Sequence, residues 1–289
     1  MKSKGSIGVF DSGVGGLTVV KQISQKLPRE SVIYFADEAH VPYGERHPYE
    51  IISFALGITR FLIERGAKLI VMGCNMSSAL ALAPARQLFP DTPVIGVIEA
   101  GVRAALRVSR DGKIGVLATT GTVNTHAYRN AILRLNPSAM VVEQACPKFV
   151  PLVEAGMADS EEAESAAHEY MKPLLSADCS TIILGCTHYP FLAGAISRVA
   201  GEHITLIDPA EETAAEAANL LSGNKLLDFS GDEPSYTFFT TARTEKFADL
   251  GSKFLNREIQ NLVEVSWGKE LGAVEWREKT VEQTTKSAL

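Results

Sequence analysis

What most restricts the fold of this chain is an alternation. Short runs rich in β-branched and aromatic residues, Ile7–Phe10, Val32–Phe35, Leu69–Met72, Val94–Val97, Lys113–Leu117, Met140–Val142, Thr181–Leu184, Ile204–Ile207 and Tyr236–Thr240, are separated by longer segments of helical period. Parallel neighbours in a sheet need a long crossover, and a helix supplies it, so the pattern predicts βαβ units, a mostly parallel sheet and an α/β fold. Between the second and third runs, Ile51, Phe54, Ala55, Ile58, Phe61 and Leu62 recur at helical spacing, and Gly66 stands where a C-terminal cap would end the helix. Pro28, Pro90, Pro137 and Pro173 fall between such segments or near their ends, where a missing N–H costs least. From Glu275 onward the chain is polar and reads as a loosely docked tail.

The alternation also repeats. Ile7-Gly8-Val9-Phe10, followed by Asp11-Ser12-Gly13-Val14-Gly15-Gly16, is matched by Ile114-Gly115-Val116-Leu117, followed by Ala118-Thr119-Thr120-Gly121-Thr122, at an offset of 107 residues. Val71-Met72-Gly73-Cys74-Asn75 is matched by Ile183-Leu184-Gly185-Cys186-Thr187 at an offset of 112. Short apolar-Gly strings recur by chance in α/β proteins, but two matches at nearly equal offset predict two pseudo-symmetric α/β domains with a crevice between them. A length of 289 residues suits two domains. The expected division is residues 1–97 with 209–289 as a discontinuous first domain and 98–208 as the second, the strands from Ile204 onward returning to complete the first.

Charge narrows the range of partners. Lys and Arg number 28 against 34 Asp and Glu, a net charge of −6 with no basic cluster, so a small molecule is expected and nucleic acid is not. Only the short apolar run Ile7 to Phe10 separates the polar N-terminus from Asp11, which does not read as a signal peptide, and no stretch is apolar enough to span a membrane. The expected compartment is the cytoplasm, where the four cysteines would be reduced.

Cysteine is among the most buried residue types, and on that ground Cys146 and Cys179 are read as packed core. Cys74 and Cys186 differ. Each follows a strand and a glycine, at the sheet edge where ligands of parallel sheets sit, and each continues into hydrogen-bonding residues rather than more core. Two thiols flanking one crevice suit the removal of a proton from one face of a carbon and its return to the other. A thiolate is a competent base near neutral pH, because its reference pKa of roughly 8.5 can be lowered by its surroundings while the opposite thiol keeps its proton. The chemistry implied is racemisation or epimerisation. A lone nucleophile needs no mirror image, and a redox dithiol needs its sulfurs at bonding distance, with no room for substrate.

Other polar residues gather at the same expected edge: Asp11 and Ser12 after the first strand, Asp37 after the second, Pro42-Tyr43-Gly44 in the loop beyond, and Thr119 and Thr122 after the strand that mirrors the first. Hydroxyls and N–H groups at turn–helix junctions can hold carboxylates, so the expected ligand is a small amino or carboxylic acid. Ser12, Thr119 and Thr122 serve equally well as helix N-caps. His188 could tune Cys186 or exchange its proton, although a histidine in a loop is ordinarily only solvated. A Cys-x-His pair lacks the further ligands of a zinc site, and no metal is expected. Gly13-x-Gly15 with Asp37 resembles the start of a dinucleotide fingerprint. The third glycine position is Thr18, however, and Asp11 would lie against the pyrophosphate, so no such cofactor is expected.

Taken together, Phe10-Asp11-Ser12-Gly13-x-Gly15-Gly16, Val41-Pro42-Tyr43-Gly44, Cys74-Asn75, Gly115-x-x-x-Thr119-x-x-Thr122 and Gly185-Cys186-Thr187-His188-Tyr189-Pro190 resemble, in order and spacing, the glutamate racemases of the aspartate/glutamate racemase family. The resemblance runs from about Ile7 to the Phe239–Leu255 region. It implies cofactor-independent interconversion of L- and D-glutamate, supplying D-glutamate for peptidoglycan and hence for cell-wall biogenesis and cell shape. By that likeness Cys186 takes the α-proton from L-glutamate and Cys74 from D-glutamate, assisted by His188 and Asp11 respectively. Asp37 and Glu154 would be supporting acids, and Asp11, Ser12, Tyr43, Gly44, Asn75, Thr119, Thr122, Thr187 and His188 would hold the substrate. Members of this family often form homodimers. One residue departs from the pattern: Met76 stands where the family usually has a threonine, which removes a substrate hydroxyl unless Ser77 substitutes. The readings carried beside glutamate racemisation are an aspartate or broad-specificity racemase and a catalytically weak amino-acid-binding protein on the same fold.

Overall fold

In chain order the strands are β1 (Ser6–Asp11), β2 (Val32–Ala36), β3 (Ala67–Met72), β4 (Val94–Gly96), β5 (Lys113–Ala118), β6 (Met140–Ala145), β7 (Thr181–Gly185), β8 (Thr205–Ile207), β9 (Tyr236–Thr240), β10 (Leu262–Trp267) and β11 (Val274–Thr280). The structure, a computed structural model, describes residues 5–269 and the backbone of 274–280. The first four residues, part of the N-terminus weighed as a leader, lie outside the described residues, as does 281–289 of the expected tail. The strands form two sheets, ordered β11-β10-β9-β2-β1-β3-β4 and β6-β5-β7-β8. The neighbours pair in parallel, except that β10 and β11 are antiparallel.

The segments β2-β1-β3-β4 and β6-β5-β7-β8 have the same strand order, which is the structural counterpart of the two sequence matches. In each, the first strand sends its crossover to one side and the third strand lies on the other. A crevice therefore opens beyond the C-terminal ends of β1 and β3, and another beyond β5 and β7. Those four ends carry Asp11, Cys74, Thr119 and Cys186.

Strands covered by helices on both faces have no polar side, and β1, β2 and β7 are buried almost throughout. Period-two alternation divides their side chains between two layers. Ile7, Val9, Tyr34, Leu69 and Val71 face one, with Leu17, Val20 and Ile23 of the helix Leu17–Lys26. Phe10, Ile33, Phe35, Ile70 and Met72 face the other, with Ala55, Ile58 and Leu62 of the helix Pro48–Glu64. That helix starts in a capping box of His47 and Glu50 with Pro48 in its first turn, and the chain leaves it through Gly66 at φ 83°, a left-handed conformation that suits glycine.

The first layer continues into the second half through Leu117, Ile182 and Leu184 and through Ala210, Ala214, Ala217 and Leu221 of the helix Pro209–Gly223. The small residues on that helix allow close packing. Arg103 and Arg107 of the helix Val97–Val108 pair with its Glu216 and Glu212, joining the helix that enters the second sheet to the one that leaves it.

The C-terminal expectation is corrected. Residues 275–280 are the greater part of β11 rather than a loose tail, and β10, where Val263, Val265 and Trp267 alternate with Glu264 and Ser266, is a further strand beyond those read from the sequence. Short polar strands become legible only when a neighbour pairs with them. Among the described residues no helix is long and apolar enough to cross a membrane.

Candidate active site

Loops from the two halves meet around a cavity of about 430 Å³. Its wall includes Asp11, Ser12, Tyr43, Gly44, Cys74, Asn75, Met76, Thr119, Thr122, Glu154, Cys186, Thr187 and His188. All but two of the sequence-derived candidates therefore converge on one site, the exceptions being Asp37 and Ser77. Glycine makes the convergence possible: a methyl group on Gly15 would come within 2.4 Å of Thr187 Oγ1 and 2.6 Å of His188 Nδ1. Gly15, the second glycine of what looked like half a dinucleotide fingerprint, instead lets the Thr187-His188 segment approach the first half, while Gly13 packs against Glu38.

Cys186 emerges from β7 buried, with its Sγ 3.9 Å from His188 Nδ1. The other ring nitrogen of His188 faces Glu154 Oε1 at 3.6 Å. Burial alone would lower the His188 pKa, but Cys186, Glu154 and Asp11 reverse the effect and hold it up at about 10. His188 is therefore an imidazolium at neutral pH, a charge placed to face whatever negative charge develops on the Cys186 sulfur. Glu154 is held down to about 2, first by the His188 ring facing it, against the cost of burial, and then by Lys246, whose Nζ lies 2.9 Å from Oε2. Asp11 completes this side. Its Oδ1 accepts from the N–H of Gly13 at 2.9 Å and its Oδ2 from Thr187 Oγ1 at 3.2 Å, a hydrogen bond between the two halves. Burial raises the Asp11 pKa, and the positive charge of His188 opposes the rise.

Cys74 has a different setting. It is the N-cap residue of the helix Asn75–Leu88, and the N–H groups of Ser77 and Met76 and the Ser77 hydroxyl favour its thiolate. Burial outweighs them and, with Asp11 adding repulsion, pushes the thiol up to about 12. Its apolar neighbours are Tyr43, Ile51, Phe54 and Met76. One thiol thus stands beside a cation and the other is a neutral group among apolar side chains.

The remaining candidates differ in what they offer. Thr119 caps the helix Thr120–Thr125, its Oγ1 accepting from the N–H of Thr122 at 3.4 Å, while both residues also line the cavity, so capping and exposure to ligand coexist. Ser12 is not a cap: the helix Leu17–Lys26 begins at Gly16, and Ser12 Oγ donates to Asp11 Oδ1 at 3.4 Å. Asn75 Oδ1 accepts from the Tyr128 hydroxyl of the other half at 2.8 Å, which leaves its N–H groups for a ligand. Tyr43 reaches the cavity, but its hydroxyl donates to Asp37 Oδ2 at 2.7 Å.

Asp37 and Ser77 lie outside the cavity wall. Asp37 is fully buried away from the cavity and accepts from Tyr43, Thr241 and Trp267 Nε1 while bonding His40, so it supports the loop that carries Tyr43. Ser77 is also fully buried, at the third position of its helix, where its N–H and hydroxyl bear on Cys74. Cys146 is packed in the core, as expected, but it also borders the cavity. Cys179 is buried.

Sequence reading missed Glu38, Lys246 and Gly121. Glu38 lies buried beside Gly13, with Arg243 Nη1 at 3.7 Å. Its neighbour Asp37 suggested that the end of β2 was functional, but nothing in the sequence singled out the second acid. Lys246 lies some 90 residues from its partner, and no local pattern announces it. Gly121 belonged to the repeat that was noticed, yet only the fold puts it against Gly44: a methyl group there would come within 2.8 Å of Gly44 Cα and 3.0 Å of Met76 Sδ. Among the described residues no group of three or more His, Cys, Asp or Glu is disposed to hold a metal ion.

A family model described as Asp/Glu/Hydantoin racemase matches residues 7–217. A protein of Geobacter metallireducens named glutamate racemase is 44% identical over 261 residues, covering 90% of this chain and 96% of its own. The crystal structure of a glutamate racemase from Bacillus anthracis matches with a TM-score of 0.88 at 37% identity, covering 94% of this chain and 99% of that one. That of a glutamate racemase from Francisella tularensis in complex with D-glutamate matches with a TM-score of 0.86 at 38% identity, covering 91% and 98%.

Proposed function

We propose, from the premise that this chain belongs to the Asp/Glu/Hydantoin racemase family, that it interconverts L- and D-glutamate. The observation that carries this reading is the presence of Cys74 and Cys186, at corresponding strand ends of two similarly ordered sheets, in the wall of one cavity. With L-glutamate, the Cys186 thiolate removes the α-proton: the Cα–H bond breaks, an S–H bond forms and the electron pair stays on Cα. The Cys74 thiol then delivers its proton to the opposite face. D-Glutamate runs the same steps in reverse. His188, held by Glu154, balances the charge on Cys186, and the helix N-terminus with Ser77 does so for Cys74. Asp11, placed between the halves, helps fix the segment that carries Cys186. The hydroxyls of Ser12, Thr119, Thr122 and Thr187, the N–H groups of Asn75 and the backbone around Gly44 and Met76 hold the carboxylates and the ammonium group.

The domain division forms part of the same reading. Residues 1–97 with 209–289 make the first domain and 98–208 the second, supported by the sheet to which each strand belongs. The product D-glutamate would serve peptidoglycan synthesis in the cytoplasm, as in the family that the motifs resemble.

The test is polarimetry on each glutamate enantiomer without added cofactor, with exchange in D₂O alongside. Wild-type protein should remove optical rotation from both enantiomers and place deuterium at Cα. Cys74→Ala and Cys186→Ala should each lose racemisation by about 10³-fold or more. A single variant racemising at the wild-type rate overturns the two-thiol mechanism.

A further inference from the structure

Behind the catalytic face of the cavity lies a line of charge that joins the two halves. Cys186 Sγ is 3.9 Å from His188 Nδ1, His188 Nε2 is 3.6 Å from Glu154 Oε1, and Glu154 Oε2 is 2.9 Å from Lys246 Nζ. Glu154 ends the helix Phe149–Glu154, between β6 and β7 of the second sheet. Lys246 lies in the first turn of the helix Thr244–Leu255, which follows β9 of the first sheet. The ion pair therefore spans the crevice.

The division of the Glu154 carboxylate gives the pair its role. Lys246 holds one oxygen and leaves the other turned to His188, whose Nε2 is buried and has no hydrogen bond. A buried ring nitrogen at that spacing depends on the carboxylate staying where it is, and the contact that holds the carboxylate from its other side is Lys246. A free Glu154 could rotate toward solvent, since its side chain is 23% exposed. His188 would then lose the partner that orients it toward Cys186.

We propose that Lys246 is a positioning residue for racemisation: by holding Glu154 Oε2 from across the crevice, it presents Oε1 to His188 and keeps His188 Nδ1 aimed at Cys186. The proposal rests on the reading of Cys186 as the base that acts on L-glutamate. Because the ion pair joins the two halves, separating them also releases Glu154, which confines the aligned state of Cys186 to the closed crevice.

The experiment compares wild type, Lys246→Met and Lys246→Arg with both glutamate enantiomers, unlabelled and deuterated at Cα. Enantiomers are equal in energy, so kcat/KM must fall equally in the two directions whatever the variant does. The isotope effects are free to differ. Lys246→Met should lower kcat/KM about tenfold, less than the 10²-fold that a misplacement of about 1 Å can cost, because the half-exposed lysine leaves water able to replace it in part. Slower proton removal by Cys186 should raise the isotope effect on kcat/KM for L-glutamate. It should lower the effect for D-glutamate, where reprotonation by Cys186 then limits the rate. Lys246→Arg should stay within about twofold of wild type, since arginine can hold the same oxygen. A Lys246→Met rate within twofold of wild type, or isotope effects that move together for the two enantiomers, overturns the proposal. Far-UV circular dichroism and the melting temperature should match wild type; if Lys246→Met unfolds, the same isotope criterion is applied to Lys246→Gln. A wild-type protein that leaves both enantiomers unchanged would instead overturn the reading of the site on which the proposal rests.

Discussion

Glu38 provides a quantitative test of the electrostatics around the cavity. Burial pushes its carboxyl up to about 7, with Glu154 adding repulsion and Arg243 and Lys246 giving partial relief. The ordinary value is 4.5, so between these pH values the folded protein keeps a proton that the unfolded chain releases. A folded-state pKa above the unfolded one means stability that is fully present below pH 4.5 and is lost as the pH rises through 7. At about 1.4 kcal/mol per pH unit, the loss sums to about 3 kcal/mol. Glu38→Gln removes the ionisable group while keeping its shape. The half-exposed Arg243 loses an ion pair that contributes little, because water replaces it. The variant and wild type should therefore differ by less than about 1 kcal/mol at pH 5, and the variant should be the more stable by about 3 kcal/mol at pH 8.5. With a urea dependence of about 3 kcal/mol per molar for a chain of this size, the midpoint should rise by about 1 M at the higher pH alone. Urea titrations followed by circular dichroism measure it. An equal offset at both pH values, or a variant less stable at pH 8.5, would mean that Glu38 is a charged partner of Arg243 and would refute the reasoning.

Met76 and Gly121 carry the remaining predictions. Met76→Thr restores a hydroxyl to the cavity wall, and kcat/KM for glutamate should rise by the roughly 2- to 12-fold that 0.5–1.5 kcal/mol of one hydrogen bond is worth. The melting temperature should fall as packing against Tyr43 and Phe54 is lost, and an unchanged or lower kcat/KM would mean that the pocket is built around methionine. Gly121→Ala places a methyl group 2.8 Å from Gly44 Cα across the crevice. Overpacking of about 1–3 kcal/mol falls mainly on the closed arrangement, so KM should rise with little change in melting temperature, and steady-state kinetics that match wild type would show that the two loops can separate during turnover.

Much of the fold could be read locally. The α/β class, the helix that ends at Gly66 and the paired cysteines at the ends of β3 and β7 follow from patterns a few residues long, because strand alternation, helical period and a left-handed glycine are properties of neighbouring residues. The polar strands β10 and β11 were not legible, since their stability comes from the strands they join.

The candidate site divides in the same way. Cys74, Cys186, Asp11, Thr119 and His188 stood out because each follows a recognisable strand. Ser77 and Asp37 had the right chemistry and the right neighbourhood in sequence, but the helix turns one toward Cys74 and burial assigns the other to supporting Tyr43. Glu38, Gly121 and Lys246 had no local signature at all. The sequence by itself determined that two cysteines, Cys74 and Cys186, follow corresponding strands, β3 and β7. Only the tertiary structure decided that one thiol faces His188 and the other a cluster of apolar side chains, because burial and charge at each sulfur are set by side chains that come from distant parts of the chain and meet across the crevice.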